Sequence, residues 1–274
     1  MKTLLTRSVT GLVFAFTILG SLLLGQYAFF VVFGAILAGT LVEFYSLFKN
    51  KSYRPNKIVG SITSLMLFFL LFLTSSGWVQ QNWLFVIFPF LLLIFISELF
   101  SKKASPLESM AISFLAIGYI AVPISLVNLL VFPVFEDKPQ FMPELLMVVL
   151  AIIWIYDSAA YLFGVNFGRH RLFERISPKK SWEGAIGGAI VAVAAAYPAF
   201  LFIPEIDLIH WVVLSFLIVV SSTFGDLTES MIKRSLGIKD SGNFFPGHGG
   251  ILDRFDSLLF VIPVVVLYLK LIIE

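Results

Sequence analysis

The sequence predicts an all-α polytopic integral membrane protein with about nine transmembrane helices. Hydrophobic side chains make up 59% of the 274 residues, and charged ones only 13%, whereas soluble domains are about 25% charged. The uncharged runs are also long, and a helix needs about 20 apolar residues to cross a bilayer. The sequence contains no cysteine, which excludes disulfides, thiolate catalysis and cysteine metal ligands.

The long apolar runs of the sequence account for nine spans. Residues 8–42 are long enough for two helices that break near Gly25, and residues 58–97 hold two more, separated by polar residues at 75–82. Further spans are predicted at 109–132, about 144–165, 184–204, about 208–227 and about 250–271. We therefore predict a single membrane domain over 1–274, with five spans in 1–135 and the last four, which carry the site, in 144–274.

The basic residues orient these spans. Of the 19 lysines and arginines, 17 fall in the N-terminal segment and the even-numbered loops when Arg254, near the start of the last span, is counted with the loop before it. The other two are Lys138 and Lys270. The positive-inside rule then places the N-terminus in the cytoplasm and the C-terminus outside. The start of the chain lacks a convincing cleavage site, so we interpret it as a retained first helix and not as a removed signal.

Charged residues within the spans mark the C-terminal half. In the first five spans, Glu43 and Glu98 are typical of helix termini. Later spans carry four aspartates inside their hydrophobic length, at Asp157, Asp226, Asp253 and Asp256. Such residues are costly in a membrane and usually functional. The predicted topology brings all four to the cytoplasmic side, together with basic stretches at 49–57, at 168–180 and in the loop that holds Lys233, Arg234 and Lys239.

Asp253 and Asp256 are three residues apart and share one helix face. One interpretation is a local salt-bridge cluster with Arg254. The other is a metal site that includes Asp226, because one arginine poorly neutralises three carboxylates and Mg²⁺ prefers carboxylate and phosphate oxygens. The sequence favours the metal site.

Three further features each have a structural and a functional interpretation. The PGHGG segment at 246–250 is either a loop and helix cap or an anion-binding turn at a helix N-terminus, in which His248 binds metal or phosphate or is merely polar. Lys179 and Lys180 are either membrane anchors, with Ser181 as an N-cap, or phosphate ligands. Asp157 and Tyr161, one turn apart, form either an interhelical hydrogen bond or part of the catalytic site.

Two blocks of the sequence resemble the phosphatidate cytidylyltransferases, also called CDP-diacylglycerol synthases. The first, SMIKRSLGIKDSGNFFPGHGGILDRFD, runs from Ser230 to Asp256, and its fixed positions and spacing fit the family signature throughout. The second, DSAAYLFGVNFGRHRLFERISPKKSWEG, runs from Asp157 to Gly184, with Ser181 where threonine is common. The first five spans are similar to the family only in being hydrophobic.

The resemblance implies transfer of the cytidylyl group of CTP to phosphatidate, with Mg²⁺ required. It implies that Asp226, Asp253 and Asp256 hold the metal, and a second cation would account for three carboxylates. It implies phosphate-binding roles for the cations Lys179, Lys180, Lys233, Arg234, Lys239 and Arg254. The glycines Gly247, Gly249 and Gly250 would let the backbone approach the phosphates.

The expected partners are CTP, phosphatidate and membrane lipid, without nucleic acid, and a homodimer stays open. The expected location is the inner (cytoplasmic) membrane, with the active site facing the cytoplasm. Alternatives are a CTP-dependent polyprenol or phytol kinase and an archaeal-type CDP-lipid synthase. A cation-coupled transporter is more remote, because the sequence shows no inverted repeat and its prominent loops are basic.

Overall fold

A computed structural model of the chain describes residues 2–49, 55–101, 105–133, 139–242 and 249–273. These residues are mainly helical, as predicted. Seven helices among them are long and apolar enough to cross a membrane: Gln26–Ser46, Lys57–Ser75, Gln81–Leu99, Pro106–Val131, Glu144–Phe167, Trp182–Phe202 and Leu208–Ser235. The fold is therefore that of a polytopic membrane protein, while the count of nine spans and the orientation of the termini stay predictions.

The first of two compact units comprises Met1–Pro143 and Asp240–Arg254. Its helices are α1 (Lys2–Leu23), α2 (Gln26–Ser46), α3 (Lys57–Ser75), a 3₁₀ helix (Gln81–Val86) leading into α4 (Ile87–Leu99), α5 (Pro106–Ala116), a π-helical turn (Ile117–Ala121) and α6 (Val122–Val131). Gly25 separates α1 from α2 with φ 104°, a conformation that favours glycine. The predicted break near this residue is confirmed.

Phenylalanine rings fill much of the core of this unit. The ring of Phe29 lies 4.7 Å from that of Phe33 and 6.4 Å from that of Phe68, centroid to centroid. Phe30 packs against Phe72 at 4.7 Å. Aromatic rings bury a large apolar area per residue, so the Phe29–Phe68 and Phe30–Phe72 contacts pack α2 against α3.

The second unit comprises Glu144–Lys239 and Phe255–Glu274. Its elements are α7 (Glu144–Phe167), β1 (Arg171–Phe173), β2 (Ser177–Ser181), α8 (Trp182–Ala194), α9 (Ala196–Phe202), α10 (Leu208–Ser235), most of α11 (Leu252–Tyr268) and a π-helical segment (Leu269–Ile273). The two strands pair antiparallel, with Arg171 opposite Ser181. This short hairpin departs from the all-α prediction, which treated 168–180 as a basic loop.

Small residues set the spacing between helices of the second unit. A Cβ added at Gly188 of α8 would lie 2.8 Å from the Cβ of Ala160 on α7, and one at Gly184 would lie 2.7 Å from the Ala160 carbonyl oxygen. A Cβ at Gly225 of α10 would lie 3.0 Å from the Cα of Ser257 on α11. These close approaches bring the polar residues of α7, α8, α10 and α11 together.

The helix α10 continues beyond its predicted end near residue 227. Lys233 and Arg234, which the sequence placed in a loop, lie in its last turn. The Lys233 ammonium pairs with the Glu229 carboxylate at 2.5 Å, and Arg234 donates to the Ile238 carbonyl oxygen at 3.1 Å. An ion pair one turn apart and basic residues at the C-terminus both stabilise helix, and hydropathy alone does not register either effect.

Candidate active site

A cavity of about 560 Å³ lies in the second unit, between α7, the hairpin, α8 and α10. We call it the polar cavity. Its charged lining consists of Asp157, Arg171, Lys179, Lys180 and Asp226, and Tyr161 also lines it. The structure thus brings together four predicted charged residues from three separate parts of the sequence.

The centre of the polar cavity is an ion pair between Lys180 and Asp226. The Lys180 ammonium lies 2.5 Å from Oδ2 of Asp226, and each side chain is about a third exposed. The other oxygen of Asp226 accepts a hydrogen bond from the Ser230 hydroxyl at 3.3 Å. Lys180 is therefore held by an acidic partner at a position open to a ligand.

Two more carboxylates surround this pair. Asp157 and Asp256 lie close enough to Asp226 and Lys180 for their charges to interact. Asp256 accepts a hydrogen bond from the backbone N–H of Ser257 at 2.7 Å. Asp157, Asp226 and Asp256 thus lie around Lys180, and carboxylate oxygens are the ligands that Mg²⁺ prefers.

Tyr156 fixes α7 against α10 beside the cavity. Its hydroxyl hydrogen-bonds the Thr223 hydroxyl at 2.5 Å, and Thr223 donates to the Val219 carbonyl oxygen at 2.9 Å. Because Tyr156 precedes Asp157, and Thr223 lies one turn before Asp226, this contact sets the separation of the two carboxylates.

The hairpin that carries Lys179 and Lys180 is anchored at both ends. The Ser181 hydroxyl accepts a hydrogen bond from the Gly184 N–H at 3.2 Å, which confirms it as the N-cap of α8. Glu183 accepts from the backbone N–H groups of Arg169 and His170 and contacts the His170 ring at 2.6 Å. Both lysines therefore lie in a strand, β2, that leads directly into the start of α8, where phosphate is favoured.

In the first unit, Asp253 is held by backbone amides. Its Oδ2 accepts from the N–H of Gly250 at 2.8 Å and from that of Ser241 at 3.1 Å. Residues 249–252, which we call the glycine-rich turn, end at Leu252, the first residue of α11. Gly249 has φ +80°, and a Cβ there would collide with the Asp253 carboxylate, so glycine is required for both backbone and space.

The other basic residues predicted for the site, Lys233, Arg234, Lys239 and Arg254, are not among the residues that line the polar cavity. Lys233 and Arg234 are engaged with Glu229 and the backbone of Ile238, as described above, while Lys239 and Arg254 are exposed. Gly247 and His248 lie outside the described residues. Within the described ranges, no three histidine, aspartate or glutamate side chains are grouped to hold a metal ion.

Three contributors were missed by the sequence reasoning. Arg171 lines the polar cavity but was not distinguished from its basic neighbours. Tyr156 was overlooked beside Asp157. Glu43 was interpreted only as a helix-terminus residue, yet it accepts a hydrogen bond from the Leu252 N–H at 2.9 Å, across 209 residues of sequence. No local pattern signals such a contact.

Comparison with known proteins gives a family match over nearly the whole chain. The sequence model described as "Cytidylyltransferase family" matches residues 5–272. Proteins named phosphatidate cytidylyltransferase from Staphylococcus aureus and Staphylococcus haemolyticus are 31% and 30% identical over 260 residues, which cover 94% of this chain and 95% of each relative. One from Haemophilus influenzae is 44% identical over 124 residues, 43% of each chain.

Proposed function

The chain belongs to the cytidylyltransferase family, and on that premise we propose that it transfers the cytidylyl group of CTP to phosphatidate. The products are CDP-diacylglycerol and pyrophosphate, and the step belongs to phospholipid biosynthesis. Relatives that match 94% of the chain carry the name of this activity. The observation that carries the proposal is the polar cavity, where three cations and two carboxylates line a space of about 560 Å³.

The reaction exchanges one phosphoanhydride bond for another. A phosphate oxygen of the lipid forms a bond to the α-phosphorus of CTP, while the bond from that phosphorus to the oxygen bridging to the β-phosphate breaks. Pyrophosphate leaves with the electron pair of the broken bond. Because the lipid phosphate is already largely ionised at pH 7, no general base is needed, and catalysis rests on positioning and charge neutralisation.

The cavity supplies both requirements. Lys179, Lys180 and Arg171 present positive charge to the phosphates. The ion pair with Asp226 holds Lys180 in place before the substrates arrive. The contacts of Glu183 and Ser181 keep the hairpin cations at one end of α8, where they would hold two mutually repelling anionic substrates together.

We propose Mg²⁺ as the cofactor. The donor chemistry in the second unit supports it, because the carboxylates of Asp226 and Asp256 lie close enough to interact and offer the oxygen ligands that Mg²⁺ prefers. Asp226 and Asp256 are the proposed ligands there, and the sequence motif assigns Asp253 the same role. Since Mg²⁺ commonly takes one or two carboxylates and completes its shell with substrate phosphates, CTP would supply further ligands. The bound ion would neutralise charge on the leaving pyrophosphate.

The location of the site suits its two substrates. CTP is soluble, whereas phosphatidate lies in a leaflet with its phosphate at the interface. We propose that the chain resides in the cytoplasmic membrane with the polar cavity facing the cytoplasm, because the basic segments, including the hairpin, fall on the predicted inner side. The phosphates of both substrates then meet at one depth.

Label transfer tests this proposal. Purified protein is supplied with phosphatidate and CTP labelled in the α-phosphate, and lipid and aqueous products are separated. We expect the label in the lipid, as CDP-diacylglycerol. Label that remains entirely in free nucleotide, together with phosphorylation of a polyprenol or phytol supplied in parallel, would instead identify a CTP-dependent kinase.

A further inference from the structure

A buried carboxylate of α2 contacts the segment that carries Asp253. Glu43 is only 9% exposed, and burying a carboxylate is costly unless it is hydrogen-bonded. Its Oε2 accepts from the backbone N–H of Leu252 at 2.9 Å. A glutamate among apolar helices thus has a specific backbone partner in the glycine-rich turn.

That partner is the first residue of α11. The first N–H groups of a helix have no acceptor within the helix, and negative charge near a helix N-terminus is favourable. Glu43 therefore acts as a long-range cap, supplied by α2 in place of a neighbouring side chain.

Two glycines lie so close to the Glu43 carboxylate that a side chain at either position would collide with it. A Cβ at Gly250 would collide with Oε2 of Glu43 and with the Ser241 hydroxyl. A Cβ at Gly242 would lie 2.7 Å from Oε1 of Glu43. The carboxylate occupies the volume that side chains at these positions would need. It therefore restricts the path of the backbone at Gly242 and at Gly250.

The same segment holds Asp253. The Gly250 N–H, directly beside Glu43, donates to the Asp253 carboxylate at 2.8 Å, and the Ser241 N–H donates to it at 3.1 Å. The contacts form a short chain from Glu43 to the glycine-rich turn and from that turn to Asp253. Moving the turn would move both amide donors.

We propose that Glu43 is a positioning residue for the cytidylyl transfer: it fixes the glycine-rich turn in the conformation that orients Asp253. Glu43 itself does not contact substrate. The role in catalysis rests on the proposed function, because it is through Asp253 that Glu43 would affect turnover.

The experiment compares Glu43→Ala and Glu43→Gln with Glu98→Ala in the full-length protein. Glu98 is a matched control, because it is a buried glutamate of the same unit whose carboxylate accepts from Ser101 in its own segment at 2.8 Å. Hydrogen exchange followed by mass spectrometry reports on residues 249–253. We expect amide exchange there to be about tenfold faster or more in Glu43→Ala, and unchanged in Glu98→Ala.

Activity is measured on the same samples as a function of Mg²⁺ concentration. We expect Glu43→Ala to lower turnover or raise the Mg²⁺ concentration for half-maximal rate by about 10- to 100-fold. Glu43→Gln keeps an acceptor oxygen for Leu252, so it should recover much of the loss in both measurements. Glu98→Ala should leave the Mg²⁺ dependence unchanged.

The glycines offer a second route if Glu43→Ala folds poorly. Gly250→Ala should impair exchange protection and activity through its collision with Glu43, and the double variant Glu43→Ala/Gly250→Ala should be no worse than Gly250→Ala alone. Gly34→Ala on α2, where a Cβ would lie 3.6 Å from Phe68, is the matched control and should be nearly silent.

Two results would overturn the proposal in an active enzyme. One is unchanged exchange at 249–253 in Glu43→Ala, and the other is faster exchange with unaltered turnover and Mg²⁺ dependence. A wild-type protein that makes no CDP-lipid would instead refute the proposed function. That result would also remove the basis for a catalytic role of Glu43. The exchange data would still show whether the Glu43–Leu252 hydrogen bond stabilises the glycine-rich turn.

Discussion

Lys180 shows how one side chain serves both the resting protein and the bound substrates. Its ammonium lies 2.5 Å from Asp226 at a site about a third exposed, where a single ion pair contributes little to stability. The ion pair therefore matters for position more than for stability, because it holds the Lys180 ammonium in the polar cavity. An arriving phosphate would compete with Asp226 for this cation.

Lys180→Gln should reduce kcat/KM for CTP by about 100-fold, because it removes positive charge from the phosphates and leaves Asp226 without its lysine. Steady-state kinetics with CTP varied at saturating phosphatidate measures this. The control is Lys57→Gln, an exposed lysine at the start of α3 in the other unit. Near-normal kinetics in Lys180→Gln would show that the ion pair serves only the fold.

Asp253→Asn and Asp256→Asn should each lower turnover by about two orders of magnitude or more while the protein still folds, because each keeps an acceptor oxygen but loses the charge that a metal requires. Turnover at saturating Mg²⁺ is the measurement, and size-exclusion chromatography in detergent checks the fold. Asp207→Asn, a change of the same type before α10, should have little effect, as should Lys270→Ala. Substantial activity in either aspartate variant would refute its role as a ligand.

At this scale the sequence predicted several residues that the structure groups in the polar cavity. Asp157, Lys179, Lys180 and Asp226 meet in one cavity, as the placement of charge in the late spans indicated. Glu43 could not be recognised, because its partner Leu252 is 209 residues away and is contacted through its backbone. The position of Arg171 in the cavity depends on the hairpin, and the sequence of these short strands shows no alternation of apolar and polar residues that would predict it.

Among the elements, α7 and α8 show how close helix packing supports the site. Gly184 and Gly188 bring α8 against Ala160 of α7, and this contact carries the hairpin lysines towards Asp157. In a membrane, moving an apolar side chain from lipid into a helix interface releases little hydrophobic free energy. Helices therefore associate through close van der Waals packing, which small residues allow. The separation of these two helices is thus fixed at a few positions.

Gly188→Ala should therefore destabilise the protein by about 1–3 kcal/mol, because the added methyl group has no free volume. Thermal unfolding in detergent measures the change. Gly20→Ala on α1 is the matched control, since a Cβ there meets nothing within 4 Å; it should be neutral or stabilise by up to about 1 kcal/mol. Equal stability of the two variants would show that α7 and α8 can separate at no cost.

The sequence predicted the elements well where apolar length decides their position. The breaks near Gly25 and after Ser75 and the span from Glu144 follow the hydropathy pattern. It failed where charge and local hydrogen bonds decide. The last turns of α10 are polar, and the hairpin is held by Glu183 and Ser181 through contacts with backbone N–H groups.

At the scale of the whole molecule, orientation in the membrane is the main open prediction. The chain has no cysteine, so single-cysteine variants give a clean readout. Arg175→Cys, in the hairpin turn, should react with a membrane-impermeant maleimide only after cells are permeabilised. Gln80→Cys and Glu205→Cys, in predicted outer loops, should react in intact cells. The reverse pattern would invert the topology and place the polar cavity on the wrong side for CTP.

The central claim, that this family member joins CTP to phosphatidate, is tested most directly by the stoichiometry of its products. Pyrophosphate release and CDP-diacylglycerol formation are followed together in purified protein, with and without Mg²⁺. We predict one pyrophosphate for each CDP-diacylglycerol, only when both substrates and Mg²⁺ are present. Pyrophosphate released without a CDP-lipid, or no Mg²⁺-dependent product from correctly folded protein, would contradict it.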